Sequence, residues 1–128
     1  MNLHRVWWSL GVVLVMAALL VCLLPVPEVA VPLEWNDKAS HLVGHGVLAL
    51  YFSGLVPRSR WWKIFVFLLL FGIAIEFAQY YMRAGREGDP RDVVANSAGA
   101  VLGLLAGRLG LSRWPEFAAW LLGRRATQ

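Results

Sequence analysis

Long apolar runs alternate with short polar breaks along this chain. Val6–Leu24 is 19 residues without a charge. A helix of that length, at about 1.5 Å per residue, covers roughly 28 Å, the hydrocarbon thickness of a bilayer. Pro25 and Pro27 end it. The run is longer than the apolar core of a signal peptide and no clear A-x-A site follows, so it is expected to stay on the protein. Asp37–Val56 is the second run. Its apolar part begins at His41, which puts Asp37 and Lys38 in its first turn behind Asn36 as N-cap. Trp62–Met82 is the third, and from Ile64 onward Glu76 is its one charge. Asp92–Leu111 is the fourth, opened by Asp89-Pro90 as N-cap and first helical residue. The tail, Trp114–Arg125, is too short and too polar to span. Phe117, Trp120 and Leu121 share one helical face ahead of Arg124 and Arg125, the pattern of a helix lying on a membrane surface. The pattern predicts an all-α membrane protein, a four-transmembrane-helix bundle with a short C-terminal interfacial helix, forming one domain over residues 1–128.

Composition supports the membrane. Apolar residues are 59% of 128 and charged residues 16%. A chain this short cannot bury such a surplus inside a globule. A soluble domain and a disordered chain are both excluded. Cys22 is the lone cysteine, so there is no internal disulfide framework and no cysteine-based zinc site. The net charge is +4, but the basic residues lie between apolar runs and make no continuous face for nucleic acid. They do orient the chain. With the N-terminus in the cytoplasm, inner segments hold Arg5, Arg58, Arg60, Lys63, Arg108, Arg113, Arg124 and Arg125, while outer segments hold Lys38, Arg83, Arg86 and Arg91. The bias places both termini on the cytoplasmic side of an inner (cytoplasmic) membrane. The seven tryptophans all fall near span ends, as interfacial anchors do.

On that topology the polar residues of three spans collect at the outer end. Asp37, His41 and His45 repeat every four residues on one face of span two. Glu76 and Gln79 are surface neighbours in the outer half of span three. Span four begins with Arg91 and Asp92, with Asn96 a turn deeper. Glu76 is the strongest signal, because an ionisable group at a helix centre costs roughly 2.5–3.5 kcal/mol and normally faces a partner. His41, Lys38 and Arg86 are its candidate partners. The competing reading makes Glu76 and Gln79 hydrogen-bonded fasteners between helices. Asp92 divides evenly between a capping role and a site role. Asn96 lies beyond capping range and can reach Glu76 or Gln79, whereas His45 reads as packing. Ala95, Gly99, Gly103 and Gly107 form a small-residue stripe for close helix approach, faced by Gly46, Ala49 and Ser53 of span two or by Gly72 of span three.

The order Asp37-Lys38-x-x-His41, Glu76-x-x-Gln79, Gly85-Arg86 with Asp92 six residues on, then Asn96-x-x-Gly99 resembles the VanZ-like family of small bacterial membrane proteins. The resemblance covers about half the chain, from Asp37 to Gly103. No single piece is specific; four in one order are. The resemblance implies a multi-span fold, a cell-envelope setting and a link to low-level teicoplanin resistance. Two positions depart from the family pattern, Leu42 after the histidine and His45 where an aromatic is usual.

These residues predict a binding site made of Asp37, Lys38, His41, Glu76, Gln79, Arg86, Asp92 and Asn96. Its expected ligand is an anionic envelope lipid or lipid-linked cell-wall precursor. Lys38, Arg86 and Arg91 would hold the phosphate, helped by the starts of spans two and four. An enzyme acting on that lipid, with His41 or Glu76 as general acid or base, ranks below binding because no nucleophile signature is present. A proton-coupled exporter ranks lower, since the inner halves of the helices are apolar. A structural assembly partner is the remaining reading. No cofactor is expected. Asp37, His41 and Glu76 have the donors for a cation, but the nearby Lys38 and arginines oppose one, so no metal is expected either.

Overall fold

The computed structural model describes residues 2–24, 33–82 and 88–123. Among these, all regular structure is helical, in α1 (Leu3–Leu23), α2 (Leu33–Ser53), α3 (Trp61–Met82), α4 (Pro90–Arg108) and α5 (Trp114–Leu121). Short 3₁₀ turns at Arg58–Arg60 and Leu111–Arg113 lead into α3 and α5. Helices are the expected outcome for apolar runs of this length, because lipid offers no partner for backbone N–H and C=O groups.

Helix ends follow local chemistry. The Asn2 side chain caps α1 by accepting the His4 N–H at 3.1 Å. Asp89 caps α4 by accepting the Arg91 N–H at 2.9 Å, with Pro90 in the first turn. Gly110, at φ 112°, turns the chain after α4. The fourth run therefore stays helical only to Arg108, short of the expected Leu111, and α5 leaves at 76° to α4.

Among the described residues, two segments are long and apolar enough to cross a membrane, α1 and Arg58–Met82. The bent pair α4 and α5 adds a third if it counts as one span. Against the four spans expected from the sequence, length and hydropathy thus give two or three among the described residues. Although α2 is 21 residues long, Asp37, Lys38, His41 and His45 load its first half with polar groups.

Close approach of α2 and α4 organises the bundle. A Cβ on Gly99 would run into the Leu42 carbonyl, and one on Gly103 into the Gly46 carbonyl. One on Gly107 would lie 2.7 Å from Ser53 Oγ. The contacts 42 with 99, 46 with 103 and 53 with 107 advance together, so α2 and α4 run parallel. The small-residue stripe predicted from spacing is this interface, with Gly46, Ala49 and Ser53 opposite it. Gly72 of α3 receives Asn96 in turn, its hypothetical Cβ being 2.6 Å from Asn96 Nδ2. Below, Leu48, Ala49 and Phe52 pack on Trp61, Ile64, Leu68 and Ala100 as the apolar core.

The far end is aromatic. Tyr51 donates its hydroxyl to the Trp7 carbonyl at 2.7 Å, and Trp114 donates Nε1–H to the Tyr51 carbonyl at 3.0 Å. The Tyr51 and Trp114 rings stack at 4.7 Å, and Trp7 meets Trp114 edge-on at 5.3 Å. Outward faces remain apolar, with Val12, Met16, Leu20, Leu70 and Phe77 exposed. In water that surface would be a liability; against lipid it is the expected finish.

Candidate functional site

At the opposite end of the bundle, the starts of α2 and α4 meet the end of α3. Six of the eight expected site residues come together there: Asp37, Lys38, His41, Glu76, Asp92 and Asn96. His41 is central and only 1% exposed. Its Nδ1–H donates to Asn96 Oδ1 at 3.0 Å. That bond fixes the ring and aims Nε2 at three carboxylates. Asp37 Oδ1 and Asp92 Oδ2 each lie 3.7 Å from Nε2, and Glu76 Oε1 lies 3.9 Å away. None of the three reaches hydrogen-bonding distance. His41 Nε2 and Glu76 Oε1 are buried without a hydrogen-bond partner among the described residues.

Burial grades across the cluster. Asn96 and Asp92 are 0% and 1% exposed, whereas the Asp37 and Glu76 side chains are 20% and 10% exposed. The cluster therefore opens along Asp37 and Glu76 and is closed beneath by Asn96. The other carboxylate oxygen of Glu76, Oε2, accepts the Asp89 N–H at 2.7 Å. This bond ties the end of α3 to the start of α4. Lys38 Nζ sits 3.3 Å from Asp89 Oδ2 and 3.7 Å from Asp92 Oδ1, bridging α2 to α4. The Asp89 carboxyl is held below the usual carboxylate range, first by the Arg91 N–H and then by the Lys38 ammonium.

Several expectations change in detail. Asn96 bonds His41 rather than Glu76 or Gln79, because its side chain is wedged between α2 and Gly72. Gln79 leaves the cluster and donates to the Cys22 carbonyl at 2.8 Å, fastening α1 to α3. Asp92 does more than cap: Asp89 is the cap, and Asp92 faces His41 and Lys38. His45 packs as expected, donating Nδ1–H to the His41 carbonyl at 3.2 Å against the Phe71 ring. Arg86 lies outside the described residues, as do Arg83, Glu87, Arg124 and Arg125. Asp89 was legible only as a helix cap, and its contacts with Lys38 and Glu76 required the fold.

Among the described residues, Lys38 is engaged by Asp89 and Asp92, Arg91 is exposed, and Asp37, Asp92 and Glu76 stand around His41. Three carboxylates around one buried imidazole can receive a cation, a proton or a hydrogen-bond donor.

The profile of the VanZ/LLP1 family matches residues 7–111. No curated protein and no solved structure matches the chain.

Proposed function

Because the chain belongs to the VanZ/LLP1 family, we propose that it is a four-span protein of the bacterial cytoplasmic membrane that engages the headgroup of an envelope lipid or lipid-linked precursor at its polar end. The spans are α1, α2, α3, and α4 with the turn after it, with both termini inside. One observation carries the reading. His41 Nε2 and Glu76 Oε1 are buried 3.9 Å apart where the cluster opens, and among the described residues neither has a hydrogen-bond partner, which suits them to a headgroup. The apolar sides of α1 and α3 give the lipid's chain a surface to lie on. The carboxylates around His41 take the hydrogen-bond-donating or cation-carrying part of the headgroup, while the exposed Arg91 at the rim is available to the phosphate. An effect on glycopeptide susceptibility belongs to this proposal.

The test is native mass spectrometry of the protein released from bacterial membranes. Retained lipid-linked precursor or anionic phospholipid is expected, and Asp92→Asn with His41→Gln should reduce it about tenfold or more. Equal retention by folded variants would overturn the reading. A second reading, chemistry on the bound headgroup, is favoured by the His41–Asn96 bond, which presents Nε2 as a fixed base. Turnover of the retained lipid that stops in His41→Gln would establish it.

A further inference from the structure

We infer that the polar end is a divalent metal site, with His41 Nε2 and carboxylate oxygens of Asp37, Asp92 and Glu76 as the ligand set. Asp37, His41 and Asp92 offer ligand atoms that all lie within 4.8 Å of one another. Glu76 Oε1 joins them from α3 at 3.9 Å from His41 Nε2. The starts of α2 and α4 therefore bring one nitrogen and two oxygens to one point, and the Glu76 carboxylate of α3 stands beside the histidine to complete the set.

The spacing favours a shared ion over direct contact. A hydrogen bond would draw N and O to about 2.7–3.2 Å. Two ligand atoms each about 2.1 Å from a tetrahedral ion stand about 3.4 Å apart. The observed 3.7–3.9 Å lies beyond the first and within a few tenths of an ångström of the second. Three carboxylates this close repel one another, and a +2 ion removes that repulsion. His41 Nε2 is buried and aimed at the point with its lone pair free, because Nδ1 carries the proton given to Asn96. A metal-bound histidine is held this way, by a hydrogen bond from its other ring nitrogen. Glu76 has its own support, the Asp89 N–H on Oε2, which leaves Oε1 for the ion.

Lys38 and the nearby arginines were the sequence argument against a metal. In the fold the Lys38 ammonium lies against Asp89 Oδ2 and Asp92 Oδ1, while Asp92 Oδ2 is the oxygen turned to the histidine. One imidazole with three carboxylates suits Zn²⁺ or Mn²⁺, and the thiolate ligands that select copper(I) are absent from the set. The site would hold its ion where the bundle opens along Asp37 and Glu76.

The test uses the full chain in detergent, stripped with a chelator and freed of envelope lipid. Mn²⁺ is titrated and followed by the loss of its free-ion resonance. Zn²⁺ is titrated against a chromogenic chelator, and Co²⁺ reports ligand geometry by its visible spectrum. One ion per chain is expected, with affinity falling as pH is lowered because the ligands must lose protons. Glu76→Gln and Asp92→Asn, near-isosteric changes, should each weaken binding at least tenfold, and Asn96→Ala about 10–100-fold through the histidine. Gln79→Leu should leave it unchanged. Lys38→Met should tighten binding by several-fold, since it removes a competing positive charge. Helical content and tryptophan emission establish that each variant is folded. Absence of stoichiometric binding, indifference to Glu76→Gln and Asp92→Asn, or weaker binding in Lys38→Met would overturn the metal site. Because no lipid is present, this result is independent of the headgroup proposal, whose own test is lipid retention by the protein released from membranes.

Discussion

Gly99→Ala is a small change with a large expected effect, because it falls where α2 and α4 touch backbone to backbone. A Cβ at position 99 would land on the Leu42 carbonyl oxygen and lie 2.9 and 3.0 Å from the Leu42 carbonyl carbon and Cα. Backbone cannot swing aside as a flexible side chain can. The helices would have to part by roughly 1 Å, and overpacking of this kind costs about 1–3 kcal/mol. The site feels the same movement. Leu42 adjoins His41, and Gly99 is one turn from Asn96, so the 3.0 Å bond between those two side chains is stretched beyond range. Losing that buried bond adds about 0.5–1.5 kcal/mol, for a total of about 1.5–4.5 kcal/mol. Gly44→Ala is the matched control, since a Cβ there meets nothing within 4 Å. It should be neutral or stabilising by up to about 1 kcal/mol, the helix preference for Ala over Gly. Reversible unfolding in mixed micelles, followed by tryptophan emission, gives the two stabilities. Nitrogen-15 shifts of the His41 ring show whether Nδ1 still carries its hydrogen-bonded proton. If Gly99→Ala matches Gly44→Ala in stability and keeps the wild-type ring signal, the close-packed interface does not set the site.

Two other changes separate fasteners from the site. Gln79→Leu removes the bond to the Cys22 carbonyl and should cost about 1 kcal/mol in the same unfolding assay while leaving the His41 ring signal unaltered; a shifted ring signal would place Gln79 inside the cluster after all. Trp114→Phe removes the bond to the Tyr51 carbonyl and part of the Tyr51 stack, and should release α5 to limited proteolysis at a loss of about 1–2 kcal/mol; unchanged protection would mean that α5 is held elsewhere.

Much of the molecule follows from one-dimensional pattern. Apolar runs near 20 residues, proline breaks and Asp89-Pro90 set the helices, because lipid and backbone geometry allow few alternatives. The four-residue spacing of Gly99, Gly103 and Gly107 marked a packing face, and Asp37 and His41 share a helix face by simple periodicity. The motif order from Asp37 to Asn96 matched the family. What spacing cannot convey is which residue meets which across helices. Gln79 and Glu76 are neighbours on α3, yet one turns to α1 and the other to α4. Asn96 has several partners within sequence reason, and only the wedge between α2 and Gly72 selects His41. Lys38 read as a free cation for phosphate until the fold placed Asp89 and Asp92 against it. Electrostatic character is a sum over neighbours in space. The chain carries a net +4, yet the parallel approach of α2 and α4 sets Asp37 and Asp92 around one histidine, with Glu76 of α3 beside them. Sequence determined which groups lie at that end of the bundle; tertiary packing, by bringing distant residues into contact, decided their partners.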